Sequence, residues 1–194
     1  MSRTLVAVVA VALTACGGAR KAAERAIASA DSSIAAISAE AGNVAPELLQ
    51  PLTAAVNDAK ASFANKDYEK AAGQVTDIPA RAAEARAKLE QTKKDLAADF
   101  ATLNEAMPRN LEAVKARLAK PPRSLSRERL TELKGTYDSA MVAWPAIAQE
   151  FQGGAMASAM GKAFALKTRV SEAMVALGLS SDGKAWGNLI TQPK

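Results

Sequence analysis

Apolar residues recur along this chain at alternating spacings of three and four, the periodicity that puts side chains on one stripe of a helix. Ala23, Ile27, Ala30, Ile34, Ile37 and Ala41 form the first stripe, and Gly42-Asn43 is expected to end it. Pro46 suits a first helical turn, after which Leu49, Leu52, Val56, Ala59 and Phe63 mark a second helix. Asn65-Lys66-Asp67 reads as a tight connection, with the Asp67 carboxylate as N-cap acceptor for a third helix. Pro79 lacks an amide proton, so that helix should kink or restart with Asp77 as cap. Ile78, Ala82, Ala85, Leu89, Leu96, Phe100, Leu103 and Met107 then hold a heptad-like seam.

Pro108 is expected to interrupt the seam, which Leu111, Val114 and Leu118 continue until Pro121-Pro122 forces an extended break. Ser124 or Ser126 can cap the next helix, whose stripe is Leu130, Leu133, Tyr137, Met141 and Trp144, with a bend at Pro145. Gly153-Gly154 makes a turn into a last long helix carrying Met156, Met160, Phe164, Val170, Met174 and Leu177 and ending near Gly178. The tail from Ser180 is turn-rich, and Trp186, Leu189 and Ile190 can dock it back. No segment has the period-two alternation of a β-strand. The expected fold is all-α, an antiparallel bundle of helical hairpins.

A shift of 88 residues superimposes two stretches of this pattern. Leu49 meets Tyr137, Val56 meets Trp144, Ala59 meets Ile147 and Phe63 meets Phe151. Beyond the turn, Tyr68 meets Met156, Ala72 meets Met160, Ala82 meets Val170 and Leu89 meets Leu177. The register suggests two similar hairpins, each too thin to bury its own face without a neighbour.

Composition narrows the chemistry. The chain has no histidine and a single cysteine, which removes the usual metal ligands, the usual general base and any internal disulfide. Aromatic residues are 4% of the chain, so buried faces must be spread thinly along long helices. The formal net charge is +5, and the excess is local: residues 109–134 carry 8 basic and 3 acidic groups.

The cysteine is the most specific signal. Arg3 is followed by an apolar run, Thr4 to Ala15, then Leu13-Thr14-Ala15-Cys16 closes it ahead of Gly17-Gly18 and the charged Arg20-Lys21. The run is too short for a membrane span, which takes roughly 20 apolar residues, and it has the layout of a cleaved export signal. Leu13-Thr14-Ala15-Cys16 resembles the bacterial lipobox. That resemblance implies diacylglycerol on the Cys16 sulfur, cleavage before Cys16 and acylation of the new amine. Gly17 is not the aspartate associated with inner-membrane retention, so the expected address is the outer membrane, facing the periplasm. The expected organisation is a signal peptide over 1–15, an alanine-rich hairpin region over 16–108, a basic helix and proline-rich connector over 109–126, and a C-terminal hairpin and tail over 127–194.

Ala26-Ile27 and Ile34, the turn at Ala45-Pro46, Leu52 and Val56, then Ala59, Phe63, Asp67-Tyr68, Ala71, Ala82 and Ala85 follow in an order that resembles an alanine-rich bacterial lipoprotein domain family of unestablished function. The resemblance covers Ala22 to Lys94, and Pro79 departs from it. The spacing of Phe63, Tyr68 and Ala72 is similar to that of tetratricopeptide hairpins, whose full signature is missing.

Two sets of residues are candidate interaction sites. Arg109, Lys115, Arg117, Lys120, Arg123, Arg127 and Arg129, with Lys134 beyond, could meet an anionic surface, or simply form the solvated face of helices. Trp144, Met156, Met160, Phe164 and Met174 could line an apolar groove, or simply form helical core. The basic run has no interleaved aromatics for base stacking, and an exported protein does not meet nucleic acid. Glu84, Asp95, Asp99 and Glu105 show no convergence of the kind paired catalytic acids need. No catalytic residue, metal or cofactor is expected. The functional expectation is a lipid-anchored, non-enzymatic envelope scaffold or adaptor acting on other envelope proteins. The alternative is a carrier of a lipid or other apolar ligand.

Overall fold

A computed structural model describes the backbone of residues 9–191 and the side chains of residues 18–191. The secondary structure of the described residues is helical, without a strand: α1 (Val9–Val44), a short 3-10 turn (Pro46–Leu48), α2 (Gln50–Ala64), α3 (Tyr68–Val75), α4 (Ile78–Ala119), α5 (Arg127–Gln152), α6 (Met156–Ala176) and α7 (Gly183–Trp186). The fold is therefore all-α, as the periodicity dictates. Two compact units divide the chain, Met1–Leu89 and Glu90–Lys194, and the boundary falls inside α4.

In the first unit, α1, α2, α3 and the start of α4 enclose a thin core of Ala30, Ile37, Leu52, Val56, Ala59, Val75, Ile78, Ala82 and Ala85. Alanine makes up much of it, so helices pack closely and each contact removes little apolar area. An ion pair from Lys60 to Asp31, 2.9 Å, ties α2 to α1, but both side chains are about half exposed and such a pair contributes only ~0–1 kcal/mol.

In the second unit, the later part of α4 lies against α5 through stacked rings. Phe100 and Phe151 have centroids 4.0 Å apart, and Phe100 and Trp144 5.6 Å. Every seam residue named above from Ile78 to Met107 is buried.

Several details differ from the sequence reading. Pro108 sits inside α4 and does not interrupt it. Pro108 and Asn104, whose carbonyl would have taken the missing amide, are both solvent-exposed, while Met107, Leu111 and Val114 are buried and hold the helix in place. Met141 is 45% exposed, and Ala140 takes its place in the α5 seam. Asp67 occupies the N-cap position of α3, but its carboxylate accepts no capping hydrogen bond. Its ψ of 66° is set by the preceding turn and is far from the extended backbone that side-chain capping requires. Ser126 does cap α5, accepting from the Arg129 amide at 3.1 Å.

The 88-residue register extends to the backbone. α2 ends at Ala64 and α5 at Gln152; α3 begins at Tyr68 and α6 at Met156. The first turn is closed by Lys66 N to Phe63 O and Asp67 N to Ser62 O, and the second by Gly154 N to Phe151 O and Ala155 N to Glu150 O. These are the paired bonds of a Schellman motif, whose left-handed residue is Lys66 (φ 66°) in one and Gly154 (φ 93°) in the other. Buried positions correspond as well, from Leu52 and Ala140 to Leu89 and Leu177. One difference follows from a single residue: Pro79 separates α3 from α4, whereas its counterpart Lys167 lets α6 run unbroken.

Candidate interaction surfaces

The basic residues of 109–134 separate into two groups by what they touch. Arg109 donates to the Ala185 carbonyl at 2.8 Å, and Arg117 to the Leu177 carbonyl at 3.0 Å. Both carbonyls belong to the last turn of a helix, α7 and α6, where the backbone leaves oxygens unpaired and the helix dipole favours a cation. These two guanidiniums are C-terminal caps within the second unit. Lys115 pairs with Glu112 at 3.4 Å and Arg129 with Glu132 at 2.5 Å, both one turn apart on exposed faces. The side chains of Lys120, Arg123, Arg127 and Lys134 are exposed and make no ion pair or hydrogen bond among the described residues. Three of them, Lys120, Arg123 and Arg127, cluster in and beside the proline-rich turn between α4 and α5.

Arg109 belongs to a larger fastening that sequence reasoning only half anticipated. The tail after α6 returns as a strap along α4, with Trp186 buried at 2% exposure. Asn110, itself buried, joins Arg109 on the Ala185 carbonyl at 2.9 Å. Asp99, 1% exposed, accepts from the Ile190 amide at 2.6 Å, from the Thr191 amide at 2.5 Å and from the Thr191 hydroxyl. Gly187 has φ 75°, and a Cβ there would stand 2.6 Å from the Thr102 methyl, so only glycine allows the strap to lie this close. Lys167 covers the Trp186 ring at 5.6 Å. Trp186 was legible as an apolar docking residue; Asp99 was not, because a carboxylate on a helix reads as surface until its long-range partner is known.

Trp144, Met160 and Met174 are buried, and Met156 and Phe164 are partly buried. They fill the interior of the second unit. Two open concavities border this hairpin, one of about 580 Å³ between Arg129 and the later part of α6 and the other on a different face. Ala143, Ala146, Ile147 and Glu150 of α5 and Lys162, Ala165, Leu166 and Arg169 of α6 border a groove of about 330 Å³. At one end Glu150 is saturated, accepting from Lys162 and from the Ser158 hydroxyl, each at 2.6 Å. Those bonds, Lys162 first, hold the Glu150 carboxyl below its ordinary value. At the other end Arg169 has no partner among the described residues. A smaller groove of about 250 Å³ lies between α1 and α2, floored by Ile27, Ala28 and Phe63 and bridged by Lys60 and Asp31.

No described helix is long and apolar enough to cross a membrane. Among the described residues no three His, Cys, Asp or Glu side chains converge as a metal site. The lipobox falls outside this account: residues 1–8, and the side chains through Gly17, Cys16 included, lie outside the described residues. No protein family, curated protein or solved structure significantly matches the chain.

Proposed function

We propose that the protein is a lipid-anchored, non-enzymatic scaffold or adaptor of the bacterial cell envelope, held at the outer membrane by acyl chains on Cys16 and facing the periplasm. The observation that carries this reading is the position of Leu13-Thr14-Ala15-Cys16, the only cysteine of the chain, at the end of an apolar run and ahead of Arg20-Lys21. Acyl chains contribute about 0.8 kcal/mol per buried CH₂, so multiple acylation gives stable attachment. The order of residues from Ala22 to Lys94, similar to alanine-rich lipoprotein domains, supports the same address.

The hairpins support an adaptor over a carrier. A carrier would need the Met-rich face of α6 open to ligand, and the burial of Met160, Met174 and Trp144 commits those side chains to the core. The free cations Lys120, Arg123 and Arg127 on one turn add a means of contact with anionic headgroups.

Intact-mass measurement of the membrane fraction tests the anchor. The expected species starts at Cys16 and carries diacylglycerol and an amide-linked acyl chain, and Cys16→Ser abolishes it. A chain of unmodified mass refutes the anchor, and turnover in a broad hydrolase screen refutes the non-enzymatic reading.

A further inference from the structure

The internal repeat allows each surface position of the second hairpin to be compared with its counterpart in the first. On the first hairpin, Asp58 and Asp77 are exposed, and Asp77 lies 3.9 Å from Arg81 one turn along α4. On the second hairpin the same positions are Ala146, Ala165 and Arg169. Two carboxylates have given way to methyl groups, and the arginine has lost its intrahelical partner.

The consequence is that the groove of the second hairpin presents methyl groups where the first hairpin carries carboxylates at the corresponding positions. Buried Ile147 and Leu166 lie beneath it, and the exposed Ala146 and Ala165 beside them are small enough for another helix backbone to approach closely. Its length is extended on α5 by Val142, 77% exposed and one turn from Ala146. The charge at one end is neutralised by the Glu150–Lys162 pair, and Arg169 leaves one uncompensated guanidinium at the other. A guanidinium beside apolar surface matches a carboxylate presented by a partner that also buries aliphatic side chains.

We propose that the α5–α6 groove docks an amphipathic helix of a partner protein, its leucine-type residues on Ala146 and Ala165 and an acidic residue on Arg169. This deepens the adaptor reading and rests on it: it names the surface and the partner chemistry. The Cys16 mass measurement does not involve the groove, so failure of either inference is separately visible.

The test uses full-length protein in nanodiscs and a fluorescent helical peptide of about 20 residues, ~30 Å long, with leucine at heptad a and d positions and glutamate at e. Matched peptides carry glutamine or lysine at e. Anisotropy should show saturable binding of the glutamate peptide, weaker binding of the glutamine peptide and least of the lysine peptide. Ala146→Asp with Ala165→Asp writes the first hairpin's carboxylates into the second and should weaken binding at least tenfold. Arg169→Ala should weaken it about fivefold, the scale of an exposed ion pair, with Arg169→Lys in between. Circular dichroism and melting of each variant report folding, and the exposed Arg169 variants keep the test open if the double variant unfolds. The proposal is overturned by absence of saturable binding, by equal binding of the double variant, or by preference for the lysine peptide. Competitive displacement of the peptide by dodecanoate would make the groove a fatty-acid site instead. A dimer in sedimentation that the double variant dissolves would make it a self-interface.

Discussion

Asp99→Asn is nearly isosteric, yet it should loosen the C-terminal strap more than any exposed substitution on α4. The carboxylate accepts on both oxygens, Oδ1 from the Ile190 amide and Oδ2 from the amide and hydroxyl of Thr191. An asparagine keeps one acceptor and presents an NH₂ group where a donor already points. With the remaining oxygen turned to Thr191, the Ile190 bond is lost and a donor meets a donor. A hydrogen bond to a charged group is worth ~1.5–3 kcal/mol, and the retained bonds lose charge assistance. The total is about 2–4 kcal/mol. Its ceiling is the cost of releasing the strap, comparable to the ~3–5 kcal/mol of a buried Trp→Ala change, because Trp186 would leave its seat. Taken as a cooperative unit of Glu90–Lys194, that lowers the melting temperature by roughly 10–20 °C. Hydrogen exchange followed by mass spectrometry or NMR should show loss of protection at the Ile190 and Thr191 amides. A midpoint within about 0.5 kcal/mol of wild type, the scale of an ordinary surface substitution, with those amides still protected, would refute the reasoning.

Other outcomes follow from the turns and charges. Lys66→Gly should stabilise the first unit by up to ~1 kcal/mol in urea melts, since a left-handed residue costs an L side chain what glycine avoids; Gly154→Ala should destabilise the second by a similar amount. Glu150→Gln should lower stability at neutral pH. The folded carboxyl lies below its ordinary value of 4.5, so its contribution is present above that value and vanishes as pH falls through the lowered one. Wild-type and variant midpoints should therefore converge in acid, and a constant gap would count against the pair. Removing Lys120, Arg123 and Arg127 together, in a chain freed of its anchor by Cys16→Ser, should weaken binding to phosphatidylglycerol vesicles about 100-fold at ~1 kcal/mol per charge. Cosedimentation unchanged by the triple variant would remove the basic turn from any membrane role.

Helix existence and the buried face were legible because each depends on local periodicity. The α4 seam from Ile78 to Met107 is buried throughout, and both hairpin turns stand where Lys66 and Gly154 allow the chain to reverse. The errors arise where tertiary contacts overrule a local rule. Pro108 reads as a breaker, but the buried Met107 and Leu111 keep the helix going while solvent takes the freed carbonyl. Arg109 and Arg117 belong to a charge run in sequence, and only the fold brings them to carbonyls far along the chain. The α5–α6 groove was not legible for a related reason: its exposed border is alanine, which reads as helix former and not as a binding surface. The signal was available in the 88-residue alignment, as the exchange of Asp58 and Asp77 for Ala146 and Ala165.

The strap also sets an order of assembly. The hairpin turns close between residues five apart or nearer, such as Asp67 to Ser62, and can form as soon as each segment is free to coil. The strap's bonds to α4 join residues separated by 75 to 92 positions. Those contacts carry the largest loop-closure entropy among the hydrogen bonds described, so they are expected to form last, after the helices they fasten. A chain trimmed before Asp182 would still make its hairpins but would leave Asp99 and Asn110 facing an empty seat on α4. Proteolytic clipping at the C-terminus should thus unfasten the second unit while leaving the hydrogen bonds and core of the first as they were.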